Sequence, residues 1–159
     1  SIEDKVLPSL ALLQERLELN EVELKKVVLR LPSVLSFSWD RNLLPSLIAL
    51  QKRLELSEAE LKRVVLGFPN VLSYSPEANV LPKLCWLQNE IGLTKGALRQ
   101  RVLKMPPILG YSLDQRYRPR LKACCVARVP VILVLNRINM PDSLFYPSIG
   151  VDSNAQEKS

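Results

Sequence analysis

The sequence predicts an all-α fold: a bent α-solenoid of helical repeats about 37 residues long. Prolines recur at Pro8, Pro45, Pro82 and Pro119, and again at Pro32, Pro69 and Pro106, at intervals of 37 residues in both series. Two apolar stripes of helical spacing fit between consecutive prolines of the first series. The first two units, Leu7–Leu43 and Leu44–Val80, share 23 of their 37 positions, which fixes the register without any gap. Recurrent prolines exclude a continuous coiled coil. The periodicity leaves the hand of the bend, right or left, open.

The first helix of each unit carries leucine at 7, 10, 13 and 17, then at 44, 47, 50 and 54, and the third has Leu81, Leu84, Leu87 and Ile91. Gaps of three and four residues put these on one buried face. Pro8, Pro45 and Pro82 suit a first turn, where the missing N–H costs nothing. They also suit a kink in a helix begun near Ser38, Ser75 or Ser112, and the sequence is compatible with both. The second helix opens at Asn20, Ser57 and Thr94, good N-cap residues, with Glu23 and Glu60 placed to complete capping boxes. Its stripe runs Leu24, Val27, Val28, Leu31 and then Leu61, Val64, Val65, Phe68. Pro32, Pro69 and Pro106 end it, and a short segment such as Val34–Phe37 returns the chain to the next unit. The third unit is Leu81–Tyr117. Residues 118–150 form a divergent C-terminal cap, in which Val131–Leu135 is a β-favouring run, and 151–159 are expected to be a flexible tail. The whole, 1–159, is read as one domain.

Composition narrows the function. Histidine is absent, which removes the commonest general base and metal ligand. Three cysteines, Cys85, Cys124 and Cys125, lack any zinc or disulfide pattern, and Cys124-Cys125 reads as two small apolar residues. No apolar run approaches the ~20 residues of a membrane span. A start at Ser1 rather than Met is read as a processed chain without its targeting peptide. No cofactor, metal or catalytic residue is expected, and the chain is read as a monomeric non-enzyme.

Charge separates the repeats. Units one and two are each neutral, whereas unit three has six basic residues (Lys83, Lys95, Arg99, Arg101, Lys104, Arg116) against Glu90 and Asp114. The net charge of +6 therefore lies toward the C-terminal half. Arg101 occupies the column of Val27 and Val64, in the buried stripe. The run Arg116-Tyr117-Arg118-Pro119-Arg120-Leu121-Lys122 follows. Such density suits phosphate, whose neutralisation supplies most non-specific nucleic-acid affinity. The candidate nucleic-acid-binding residues are Arg99, Arg101, Lys104, Arg116, Arg118, Arg120, Lys122 and Arg128. A solvated basic face would account for any one of them singly. The aromatic column Phe37, Tyr74, Tyr111 is read as core rather than as a base-stacking platform. Neutral units one and two offer a possible protein-docking surface, the alternative function being an interaction scaffold. Metal-dependent cleavage would need clustered carboxylates, which unit three does not supply.

The pattern Leu44-Pro45, Leu50, Leu61, Pro69-Asn70-Val71-Leu72 and Ser75, with its equivalents in units one and three, resembles the mitochondrial transcription termination factor (mTERF) family. The resemblance covers about residues 1–123 well. Arg116–Leu121 resembles the entry into the family's last unit, and Asp142-Ser143-Leu144-Phe145 its closing segment. It implies a left-handed solenoid of helical triplets, location in mitochondrion or plastid, and binding of double-stranded DNA or RNA through a basic groove. Such proteins serve transcription termination or regulation, ribosome assembly or intron splicing.

Overall fold

The computed structural model describes residues 2–152, with side chains from Pro8 onward. The expected tail from 153 to 159 and the side chain of Leu7 lie outside the described residues. Every regular element among the described residues is helical. They fall into two compact units, Ser1–Gly110 and Tyr111–Ser159, where the sequence reading has one domain.

In the first unit, α1 (Ile2–Leu17) and α2 (Glu21–Arg30) precede a 3-10 turn at Pro32–Ser36. The same sequence follows as α3 (Leu44–Leu54), α4 (Glu58–Gly67) and Pro69–Ser73, then as α5 (Leu81–Glu90), α6 (Lys95–Lys104) and Pro106–Gly110. The N-caps stand where the sequence places them. Asn20 accepts from Glu23 N–H while Glu23 accepts from Asn20 N–H, and Ser57 and Glu60 do the same. Thr94 accepts from Ala97 N–H, but alanine returns nothing. Pro32, Pro69 and Pro106 each open a 3-10 turn directly after α2, α4 and α6.

The structure resolves the alternatives for the leucine-following prolines. The helix begins at Ser38 and Ser75, whose hydroxyls accept from Arg41 and Ala78 N–H. A π-helical turn, Trp39–Leu43 or Pro76–Val80, then runs straight into α3 or α5. Pro45 has no N–H for the Arg41 carbonyl, and its ring would press on that oxygen in a regular α-turn. Widening the turn to five residues, with Leu43 N–H on Ser38 C=O at 3.1 Å, accommodates both problems. Each π-turn packs on the helix it leads into, so the structural repeat starts at the serine, and the division of the two units falls inside the third sequence repeat.

The core of this unit is the predicted stripe. Leu13, Leu47, Leu50, Leu54, Leu61, Val64, Val65, Leu84, Leu87, Leu98 and Val102 are at most 1% exposed. Gly67 ends α4 where a Cβ would stand 2.6 Å from Pro106 Cγ, so glycine lets the third 3-10 turn close on α4.

The second unit repeats the pattern and then shortens it. Ser112 caps a π-turn, Leu113–Tyr117, that leads into α7 (Arg118–Ala127), in register with α5. The frame slips at Arg128, whose left-handed φ of 57° ends α7 one residue earlier than the 37-residue spacing from Gly92 (φ 82°) requires. The run Val131–Leu135, read as β-favouring, is a turn leading into a single helical turn, α8 (Leu133–Asn136). α9 (Asp142–Ser148) stands in the place of the 3-10 turn.

Candidate nucleic-acid interface

The basic residues divide by what their side chains already hold. Lys83 and Arg120 belong to one column with Ser9 and Ser46, and these four are the buried polar residues among those described. Lys83 Nζ donates to the Leu109 carbonyl at 2.6 Å and to Asn79 Oδ1 at 3.1 Å, and lies 5.6 Å from the Tyr74 ring centre. Burial pulls its ammonium down to about 8. Lys83 thus counts toward the sequence charge of unit three but not toward its surface charge.

Arg120 is a correction to the sequence-based site. It is fully buried. Nη1 donates to the Arg137 carbonyl at 3.0 Å, and Nη2 to the Met140 carbonyl at 2.5 Å and Asp142 Oδ1 at 2.9 Å. Its guanidinium lies 4.2 Å from the Phe145 ring centre, and its Nε is buried without an acceptor. This arginine ties the 137–142 segment to α7 and has no face left for phosphate. Arg116, four residues earlier, donates to the Ile138 carbonyl at 2.9 Å and stacks 4.9 Å from the Tyr111 ring. The aromatic column is consequently half-buried rather than core, and Tyr74 and Tyr111 serve as platforms for protein cations. Of the paired cysteines, Cys124 is buried and Cys125 exposed.

Arg99 is also engaged. It pairs with Glu60 across α6 and α4, and that guanidinium, with the Ser57 backbone N–H, holds the Glu60 carboxyl down at about 2. Lys62 pairs with Glu23 one repeat earlier, at 3.1 Å. These are successive rungs of one ladder, since both partners move by 37 residues. The ladder stops because the column of Glu23 and Glu60 holds Ala97. Likewise Glu21 and Glu58 give way to Lys95. Unit three is basic largely because the first turn of its second helix has lost two carboxylates.

That loss leaves a shallow depression of about 480 Å³ lined by Arg63, Ala97, Gln100, Arg101, Leu103 and Lys104. It contains three cations and no carboxylate. Arg63 Nη2 donates to the Leu103 carbonyl at 3.2 Å, which orients its guanidinium. Among the described residues the side chains of Arg101 and Lys104 have no ion-pair partner. Arg101, in the column of fully buried Val27 and Val64, is half-exposed and lines the rim. Sequence reading missed Arg63 because unit two is neutral overall; its carboxylates serve the ladders and caps instead.

The second unit has its own depression, about 660 Å³, with Arg118, Lys122, Ala123, Val126 and Tyr146 among its lining residues. Arg118 and Lys122 share one face of α7, but Asp114 and Asp142 line the same space, and Arg118 Nε bonds Asp114 at 3.1 Å. Its charge is therefore balanced. Arg128 is exposed at the end of α7. The eight predicted residues thus separate into Arg101 and Lys104 in one depression, Arg118 and Lys122 in another, Arg128 apart, and Arg99, Arg116 and Arg120 bound to the protein.

A family model, mTERF, matches residues 1–144. No curated protein matches the chain.

Proposed function

The chain belongs to the mTERF family of organellar, nucleic-acid-binding helical-repeat proteins, and we propose that it binds the sugar–phosphate backbone of nucleic acid in a mitochondrion or plastid, in transcription termination or regulation. The observation that carries this reading is the depression bounded by Arg63, Arg101 and Lys104, three cations with no carboxylate among the lining residues. Three positive charges around an open, weakly apolar surface lower the potential energy of a phosphate there and release its counterions on binding. Arginine adds a planar fork that matches two phosphate oxygens. Arg118 and Lys122 form a weaker second contact, weakened by Asp114 and Asp142.

No helix among the described residues is long and apolar enough to cross a membrane. Binding by the chain to double-stranded DNA, single-stranded DNA and structured RNA, compared with an Arg101→Glu/Lys104→Glu variant, tests the site. Loss of binding in the variant with unchanged folding is expected; equal affinity of both proteins for all three nucleic acids would remove the site.

A further inference from the structure

In α6 the cation of one column moves along by a residue. Lys26-Val27 and Arg63-Val64 of the first two repeats become Gln100-Arg101 in the third. The depression keeps its positive charge through Arg101, and the exposed position beside it becomes an amide. Among the lining residues only the Gln100 side chain both donates and accepts hydrogen bonds. Arg63, Arg101 and Lys104 donate only, and Ala97 and Leu103 do neither.

That amide is free. Gln14 bonds Glu21, Gln51 bonds the Leu56 carbonyl and Glu58, and Gln88 accepts from Arg53. The Gln100 side chain has no hydrogen-bond partner among the described residues. The Gln115 side chain has none either, but it lines the second depression with Asp114 and Asp142. The surroundings of Gln100 carry the opposite charge. Lys104 stands one turn beyond it on α6, and Arg63 reaches in from α4, held by the Leu103 carbonyl. One turn before it comes Gly96, with open space where a Cβ would stand, in a column that holds Val22 and Ala59. Gly96, Gln100 and Lys104 are all exposed, and α6 contains no acidic residue. They form a slim outward edge that a polyanion can approach closely.

We propose that Gln100 is a base-reading residue, pairing with the major-groove edge of an adenine in double-stranded DNA between phosphates held by Arg63, Arg101 and Lys104. The inference rests on the phosphate-binding reading of this depression and adds sequence selectivity to it. Phosphate offers acceptors only and leaves the Gln100 Oε1 unmatched. Adenine presents its N7 acceptor beside its N6 amino donor, so Nε2 donates to N7 while Oε1 accepts from N6–H. The major groove of B-DNA admits a helix such as α6. That of duplex RNA is too narrow for its side chains to read.

Selection from double-stranded DNA with a randomised central segment, by the full chain and by Gln100→Ala and Gln100→Arg, tests this. The parent should enrich adenine at one position. Gln100→Ala should lose that preference, about ten- to a hundredfold against the other base pairs, and keep the salt slope because no charge is removed. Gln100→Arg should shift the same position to guanine, whose N7 and O6 match a guanidinium. Urea midpoints of the three proteins should agree, since the side chain is exposed. The same base preference in the parent and in Gln100→Ala would overturn the proposal, as would an equal loss on every sequence. A parent that binds DNA with salt-dependent affinity but without selection would overturn the base reading alone. A parent with no salt-dependent binding would remove the phosphate site as well.

Discussion

Arg118 and Arg120 lie two residues apart on α7, yet Arg118 stands in solvent beside Asp114 while Arg120 is sealed beneath Phe145. A step of two residues turns a helix by about 200°, so an arginine-rich run on a helix cannot act as one charge patch. Arg116 and Arg120 share the inward face, and Arg118 and Lys122 the outward one.

Substitution should separate these roles. Arg120→Met leaves the Arg137 and Met140 carbonyls and Asp142 without their charged donor, and should destabilise the second unit by about 2–4 kcal/mol. Arg118→Met should change stability by less than about 0.5 kcal/mol. Urea denaturation of the two variants checks the contrast; equal losses would place both arginines in the same environment.

The Glu60–Arg99 rung makes stability depend on acid pH. Arg99 holds the Glu60 carboxyl near 2 in the folded protein, against an ordinary value of 4.5. Its stabilising contribution is complete above about pH 4.5 and disappears as the pH falls through about 2. Glu60→Gln keeps an acceptor for the Ser57 N–H and removes the charge. The variant should be less stable than the parent at neutral pH, with the two denaturation midpoints converging toward pH 2.

Helix ends in the first two repeats carry avoidable strain. Glu18 and Glu55 adopt φ 52°, where the third repeat has Gly92 at φ 82°. A left-handed non-glycine residue costs about 1 kcal/mol or more, partly offset by the greater freedom of glycine in the unfolded chain. Glu18→Gly should therefore raise stability by about 0.5–1 kcal/mol, while Glu15→Gly, inside α1, should lower it by about as much. The Lys62 bond to the Glu18 carbonyl is unaffected by the first change. Thermal denaturation of both variants measures the two signs.

The 37-residue ruler made the helices, their N-caps and the proline-opened 3-10 turns legible, because each depends on residues close together in the chain. Arg101 was also legible, as a cation in the column of Val27 and Val64. The π-turn before Pro45 was not, since it is a response to ring and carbonyl crowding that composition does not encode. Arg120 was misread because a local run of charge was followed instead of its column. Ser9 and Ser46, small residues at the same place, signal a position pressed against a neighbour. Arg63 escaped because its importance lies in Ala97, a carboxylate absent from another repeat. Partners separated by 37 ± a few residues, such as Arg99 and Glu60, become visible only when adjacent repeats are set side by side. Val131–Leu135 has β-branched residues but no strand beside it among the described residues, so it folds locally into a turn and α8.

Neutralisation of phosphates by Arg63, Arg101 and Lys104 has a direct readout in salt dependence. Affinity for double-stranded DNA measured across a salt series gives a slope of log K against log salt that counts neutralised phosphates, about 0.9 for each. Changing all three residues to Gln should flatten that slope by up to roughly 0.9 per cation while the urea midpoint stays near that of the parent. An unchanged slope in a folded triple variant would mean that these three side chains do not contact phosphate.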